Sequence, residues 1–224
     1  MVSRTFACLS VISAFMIAGC GGGGGSNPPA PQPNLHSARA PSQPMDIPAT
    51  MLTATDSSGN TYTINYSSTP GGMATFNGQA ASTSMIALTV SENGAVVATE
   101  NSTEYYLTNP YSPLGLSGTT SGVAWTAVVT GSSPIPTMLT VGTSGSLYSY
   151  VYRDGMGSTI GSLTETYTVT ADTTTALFLN IDAAGTINGV QETETLTYLV
   201  ASDGTVQALV EAKITVNGTT LTFQ

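Results

Sequence analysis

The chain has 224 residues, of which 41% are hydrophobic and only 8% are charged, whereas about 25% are charged in an average soluble domain. From Asp46 onward 13 acidic residues face two basic ones, Arg153 and Lys213, so phosphates of nucleic acids and anionic lipid headgroups should repel this part of the chain. We therefore exclude nucleic acid as a partner and expect one folded domain of ordinary size.

The first residues of the chain have the pattern of an export signal. Arg4 lies in a short leading segment, and residues 5–16, TFACLSVISAFM, form an apolar stretch that is too short to span a bilayer as a stable helix. The pattern indicates a chain that is exported rather than one that spans a membrane through this segment.

The end of this signal, Ile17-Ala18-Gly19-Cys20, resembles the lipobox of bacterial lipoproteins, in which small residues precede an obligatory cysteine. Ile17 stands where that family usually has Leu. The resemblance implies that residues 1–19 are removed as a signal peptide, that a diacylglyceryl group is attached to the Cys20 thiol, and that the new amino terminus is acylated, for example with palmitate. This covalent lipid is the only cofactor-like group that we expect, and it would hold the protein on the membrane.

The same resemblance suggests a location. In Gram-negative lipoproteins an Asp after the cysteine favours retention at the inner membrane, and here that position is Gly21, which implies the outer membrane. The periplasmic face and the cell surface both stay open. The alternative is an ordinary secretory signal that is cut near Ala18 or Gly19.

Residues 20–48 are predicted to be a flexible linker. GGGGGS is typical of a flexible coil, and the proline-rich run after it favours an extended polyproline II conformation. The only histidine, His36, lies in this linker, where we interpret it as a solvated residue. No cysteine follows Cys20, which excludes a disulfide and a thiolate metal site in the folded part.

Residues 49–224 are predicted to form a single all-β domain. Short runs rich in Thr, Val, Tyr, Ile and Leu recur, and turn sequences containing Gly separate them: SSGN, ENGA, TSGS, AAGT, SDGT and VNGT. The predicted strands are MLTATD, TYTINYS, GMATFNG, SMIALTVS, AVVATEN, TEYYLTN, GVAWTAVVT, TMLTVG, SLYSYVYR, SLTETYTVTAD, TALFLNID, ETETLTYLVA, TVQALVEAKITV and TLTFQ.

Tight turns between successive strands predict antiparallel neighbours, so the preferred architecture is an up-and-down barrel or a strongly curved meander. A two-sheet β-sandwich is the alternative. The stretch Asn109–Gly122 contains two prolines and is predicted to be the longest loop, marking a change of sheet or a lid.

Strand parity provides the one indication of a site. In SLTETYTVTAD, Glu165 and Tyr167 lie on the same face as the apolar residues, and in ETETLTYLV so do Glu192, Glu194 and Tyr198. If the barrel is hollow, these residues would line a pocket for a cationic or hydroxyl-rich small ligand. The alternative is that each strand begins outside the core and its acids are solvated.

Catalytic constellations are scarce. The predicted domain contains no His and no Cys, so we expect no Ser-His-Asp or Cys-His catalysis and no His-ligated metal, and we assign no catalytic residue. Paired carboxylates, with Glu192, Glu194 or Asp182 as candidates, keep a glycan hydrolase of the cell envelope open as an alternative.

The predicted function is therefore that of a non-enzymatic, outer-membrane-anchored lipoprotein. Its β domain would bind a partner protein or a small-molecule ligand, or would serve a structural role at the surface. A membrane-spanning β-barrel is a further alternative, because low charge and many Tyr and Thr residues are also typical of outer-membrane strands.

Overall fold

Alternation between apolar and hydroxyl-bearing residues makes this chain an all-β protein, as the sequence predicts. The structure, a computed structural model, describes residues 37–40, 49–108, 111–133, 135–171 and 176–224. The predicted signal, Cys20 and most of the predicted linker lie outside the described residues. The strands are β1 (Ser37–Arg39), β2 (Thr50–Thr55), β3 (Thr61–Phe76), β4 (Gln79–Glu92), β5 (Ala95–Thr108), β6 (Tyr111–Thr120), β7 (Val123–Ser132), β8 (Met138–Thr140), β9 (Ser144–Asp154), β10 (Thr159–Ala171), β11 (Ala176–Ile187), β12 (Val190–Ala201), β13 (Val206–Val216) and β14 (Thr219–Phe223).

Apart from β1 and β8, these strands form one antiparallel sheet in which each strand lies beside the next in chain order. The two outermost strands, β2 and β14, also meet, because Thr53 and Gln224 exchange two backbone hydrogen bonds of 3.0 Å. The sheet therefore curls into a nearly closed barrel of 12 strands. This confirms the predicted barrel or curved meander over the sandwich. Within the described ranges no helix has the length and hydrophobicity needed to cross a bilayer.

Tight turns join neighbouring strands of the barrel. At Asn93-Gly94, for example, φ is 50° and 81°, the pair of positive values that a type I′ hairpin turn requires and that Asn and Gly adopt most easily. Four of the predicted turn sequences, SSGN, ENGA, SDGT and VNGT, are turns in the structure. Short turns of this kind keep successive strands adjacent and antiparallel.

The other two predicted turns, TSGS and AAGT, are wrong: residues 144–146 of TSGS begin β9, and AAGT lies inside β11. Their glycines permit close contacts instead, since a Cβ atom on Gly145 would lie 2.8 Å from the Tyr167 ring and one on Gly185 only 2.0 Å from the Ser162 carbonyl oxygen. The turn after β11 is at Asn188-Gly189.

The prediction of a long loop at Asn109–Gly122 is also wrong, because β6 occupies Tyr111–Thr120. β6 pairs with β5 on one side and β7 on the other. Pro113 is tolerated because it lies at a register shift, where Tyr105 pairs with Gly115 and Tyr106 with Pro113, and prolines in sheets concentrate at such irregularities.

A small second sheet lies at one end of the barrel. β1, which the sequence analysis placed in the linker, pairs with β8, and the facing side chains of Ala38 and Leu139 are both fully buried. The Arg39 N–H donates to the carbonyl of Ser202 in the turn between β12 and β13, at 3.1 Å. The two short strands therefore cover this end and share its hydrophobic core.

Candidate functional site

The three glutamates that strand parity singled out point into the barrel. Glu165 on β10 is 0% exposed, and Glu192 and Glu194 on β12 are 8% and 7% exposed. The tyrosines predicted to lie on the same faces, Tyr167 and Tyr198, are buried as well. The alternative of solvated acids at strand ends is therefore wrong, whereas a ligand pocket at these residues stays a prediction.

Two further interior acids were missed by the sequence analysis. Glu100 and Glu104 on β5 are 2% and 1% exposed. The sequence does indicate that both acids point the same way, because residues four apart lie on one face of a strand. This indication went unseen because the sequence was divided into AVVATEN and TEYYLTN, although β5 runs unbroken through both, and because Ser102, which lies between the two acids on that face, is polar.

The interior acids raise one another's pKa. Burial is the largest cause that raises the pKa of Glu165 well above its ordinary value, and the charges of Glu194 and Glu104 raise it further. A hydrogen bond from the Tyr150 hydroxyl acts in the opposite direction and lowers it. Burial, followed by Glu192 and Glu100, likewise raises the pKa of Glu194. Since the described cations Arg39, Arg153 and Lys213 are exposed, nothing positive offsets the cost of ionising these carboxyl groups within the described interior.

Glu100 ends a chain of hydrogen bonds that begins at the only tryptophan. Nε1 of Trp125 donates to Oγ1 of Thr120 at 2.9 Å, and the Thr120 hydroxyl donates to Oε2 of Glu100 at 3.1 Å. Burial raises the pKa of Glu100 to about 8, although the hydrogen bonds from Thr120 and Ser102 act in the opposite direction. The indole of Trp125 is therefore linked to an interior acid through a single hydroxyl group.

Tyrosines fill much of the remaining interior. The buried ones are Tyr62, Tyr66, Tyr148, Tyr150, Tyr152, Tyr167 and Tyr198. Three of them, Tyr148, Tyr150 and Tyr152, lie on β9 and pack in the core. Burial is also the main reason why the pKa values of Tyr152 and Tyr198 lie well above the ordinary tyrosine value. The interior thus combines phenols with carboxyl groups, and burial opposes the ionisation of Glu100, Glu165 and Glu194 among them.

The geometry bears on the carboxylate chemistry considered from the sequence. Asp182 lies on the outer face, where its Oδ1 accepts a hydrogen bond of 2.6 Å from Thr195, so it cannot act together with Glu192 and Glu194 inside the barrel. In the part of the chain that the structure describes, no group of three or more His, Cys, Asp or Glu side chains is arranged to hold a metal ion.

A groove of about 860 Å³ crosses the outer face of β3 to β7 and reaches the turn between β9 and β10. We call it the outer groove. Small residues such as Ala87, Ala124 and Gly155 keep its floor low, and hydroxyl or amide side chains form most of its walls: Ser67, Thr69, Asn101, Thr103, Ser117, Thr119 and Thr126.

The outer groove is almost uncharged. Among the described residues that line it, Asp154 is the one with a charge, and its Oδ1 already accepts hydrogen bonds from the backbone N–H groups of Met156 and Ser158 at 2.9 Å each. Met85, which is 55% exposed, adds an apolar contact. This combination of neutral hydrogen-bonding groups and methyl groups suits a neutral, hydroxyl-rich ligand.

Comparison with protein-family models, with curated proteins and with solved structures gave no match to this chain.

Proposed function

We propose that this chain is a non-enzymatic lipoprotein of the outer membrane, anchored through lipid on Cys20, whose barrel presents the outer groove to a ligand. Support for the anchor comes from Ile17-Ala18-Gly19-Cys20 and the Gly- and Pro-rich run that follows. Residues 21–36 separate Cys20 from β1. At about 3.1 Å per residue in polyproline II, this length of chain would reach up to roughly 50 Å.

The single observation that favours a binding role over a hydrolase is where the carboxyl groups lie. A glycosidase needs two carboxyl groups on either side of a substrate in an open cleft. Here the glutamates brought close together by the fold, Glu165, Glu192 and Glu194 among them, are each less than 10% exposed. The outer groove is open to ligands, and the one carboxyl group among its described lining residues is that of the hydrogen-bonded Asp154.

A neutral glycan is the ligand that the outer groove suits best. The groove lies on the face of the sheet rather than at a free edge, and the strands beneath it are paired on both sides, so a peptide could not add to the sheet through backbone hydrogen bonds. Recognition would have to use the Thr, Ser and Asn side chains, which match sugar hydroxyls as donors and acceptors. The groove crosses five strands, roughly 20 Å at about 4.8 Å per strand.

The outward-facing residues support a barrel that is surrounded by water. On β10, Thr164, Thr166 and Thr170 are exposed, whereas Leu163 and Val169 are buried. A barrel that crosses a membrane has the opposite alternation, with apolar residues facing the lipid. The polar exterior therefore favours the anchored form over the membrane-spanning alternative.

The anchor is tested by growing cells with a palmitate analogue and comparing the natural chain with Cys20→Ser. We expect label on the natural chain and none on Cys20→Ser; Cys8→Ser, which lies within the signal, is the matched control and should keep its label. Label retained by Cys20→Ser would contradict the anchor. Protease treatment of intact cells then separates surface display, with cleavage of the protein, from periplasmic exposure.

The groove is tested by binding to an array of neutral and acidic glycans. We expect binding to a neutral glycan that Thr103→Arg abolishes, because a long cation would fill the outer groove. Thr166→Arg, at an exposed threonine of β10 that is not among the residues lining the outer groove, should bind as the natural protein does. Equal loss in both variants, or binding only to peptides, would contradict the glycan proposal while leaving the lipid anchor unaffected.

A further inference from the structure

Five buried carboxyl groups meet inside the barrel without a described cation among them. They come from three strands: Glu100 and Glu104 from β5, Glu165 from β10, and Glu192 and Glu194 from β12. Buried acids of this kind are normally paired or hydrogen-bonded, because an isolated charge is costly in the protein interior.

Several of their oxygens have no well-formed hydrogen bond to any residue that the structure describes. These are both carboxyl oxygens of Glu165, Oε1 of Glu194 and Oε1 of Glu100, all inaccessible to solvent. Glu165 is fully buried and lies near the charges of Glu194 and Glu104, and the Tyr150 hydroxyl is the hydrogen-bonding neighbour that the described residues provide for it. Burial favours the protonated form of such a carboxyl group, since protonation removes the charge and supplies a hydrogen-bond donor.

The titratable groups described around the acids do not supply a positive charge that would stabilise the ionised carboxylates. The other titratable residues described around the acids are tyrosines, among them Tyr66 on β3, Tyr167 on β10, Tyr198 on β12, and Tyr148, Tyr150 and Tyr152 on β9, and a phenol is either neutral or negative. Each ionisation therefore makes the next one harder, so the glutamates titrate as one coupled set.

We propose that the five interior glutamates form a proton-dependent lock, which holds the barrel closed while they are protonated and loosens it as they ionise. The lock joins strands that are distant in sequence, because β5 meets β10 and β12 across the interior. Ionisation would place like charges between these strands with no described cation to balance them. The proposal is independent of lipid attachment and of ligand binding in the outer groove.

The direction of the pH dependence follows from the raised pKa values. Below the ordinary glutamate pKa of about 4.3, the acids are protonated both in the folded and in the unfolded chain, and their full contribution to the stability of the fold is present. As the pH rises towards the folded-state values, about 8 for Glu100, the unfolded chain loses protons that the folded chain keeps, and stability falls. Hydrogen bonds from Asn60 lower the pKa of Asp56 to about 2. Asp56 therefore makes stability fall as the pH falls, but only below about pH 4.

The test is urea unfolding of the purified full-length protein between pH 4.5 and 9, followed by the fluorescence of Trp125, the one tryptophan in the chain. We expect the urea midpoint to fall steadily as the pH rises. Glu165→Gln keeps the size of the side chain but cannot ionise, so its midpoint should fall less steeply. Glu211→Gln is the matched control, since Glu211 lies outside the core and accepts a hydrogen bond from Gln224, and it should keep the slope of the natural protein.

A midpoint that is constant or rises over this range would overturn the proposal, as would equal slopes for Glu165→Gln and the natural protein. If Glu165→Gln does not fold, the number of protons that the natural protein releases on unfolding still tests the proposal. Unfolding at pH 7 should release protons, measurable by calorimetry in buffers with different ionisation enthalpies. Unfolding with no proton release, or with proton uptake, would contradict the lock.

Discussion

Single side chains provide the hydrogen bonds that stabilise the buried polar groups of this interior. Thr120 is the clearest case, because one hydroxyl accepts a hydrogen bond from Trp125 and donates one to Glu100. It thereby links the largest side chain of β7 to a buried acid on β5. A hydroxyl that serves both a donor and an acceptor in the core is difficult to replace, since removing it leaves two buried polar groups without this partner.

At this scale we expect Thr120→Val to destabilise the fold by about 2 kcal/mol, because Trp125 Nε1 and Glu100 Oε2 both lose a buried hydrogen bond. The loss should also raise the pKa of Glu100 further, since the bond from Thr120 lowers it. Urea unfolding at pH 5 and pH 8 would measure both effects, the destabilisation being larger at pH 8. Thr164→Val, an exposed outward position on β10, should change stability little; equal effects at both positions would contradict the role given to Thr120.

Within the strands, glycines determine how closely neighbours approach. Gly161 and Gly185 lie on the paired strands β10 and β11, and Cβ atoms there would lie 2.1 Å from the carbonyl oxygen of Thr186 and 2.0 Å from that of Ser162. Backbone atoms cannot move away as a flexible side chain can. The two strands would therefore have to separate to admit a methyl group, and the curvature of the wall depends on both positions.

We accordingly expect Gly185→Ala to cost about 2 kcal/mol through overpacking. The matched control is Gly72→Ala, because a Cβ atom at Gly72 meets nothing within 4 Å and no positive φ is required there. Thermal or urea unfolding would compare the two variants. A Gly185→Ala protein as stable as Gly72→Ala would show that β10 and β11 have more room than the structure indicates.

The molecule as a whole has two closures, one along the wall and one across an end. The wall closes where Thr53 and Gln224 exchange hydrogen bonds. The end is covered by β1 and β8, which contribute Ala38 and Leu139 to the common core. A cover that shares the core of the barrel should unfold together with it rather than separately.

For the whole molecule, then, Leu139→Ala should lower the free energy of unfolding by about 3 kcal/mol, the usual cost of removing a buried leucine side chain. Its neighbour Met138 is 49% exposed, so Met138→Ala should cost less than about 0.5 kcal/mol. Urea unfolding monitored by circular dichroism measures both. A single transition shifted as a whole is expected for Leu139→Ala; an early, separate transition would show that β1 and β8 detach independently of the barrel.

Local patterns in the sequence determined the strand class, four of the six predicted turns and the inward face of Glu165, Glu192 and Glu194. The inward face follows because side-chain direction alternates along a strand whatever its partners are. The lipobox and linker were likewise read from sequence alone and remain proposals. Glycine was less predictable: Gly94 makes a turn whereas Gly185 makes a close contact, and only the opposing strand distinguishes the two uses.

Only the tertiary structure decided which residues meet. Glu100 and Glu104 join the acids of β10 and β12 because the sheet closes on itself, and no local pattern contains the register or curvature of strands so far apart in sequence. Long-range pairing likewise placed β1 beside β8 at one end of the barrel and brought the lining residues of the outer groove together across β3 to β7. Alternation thus determined the face on which each side chain lies, and long-range pairing determined what it faces.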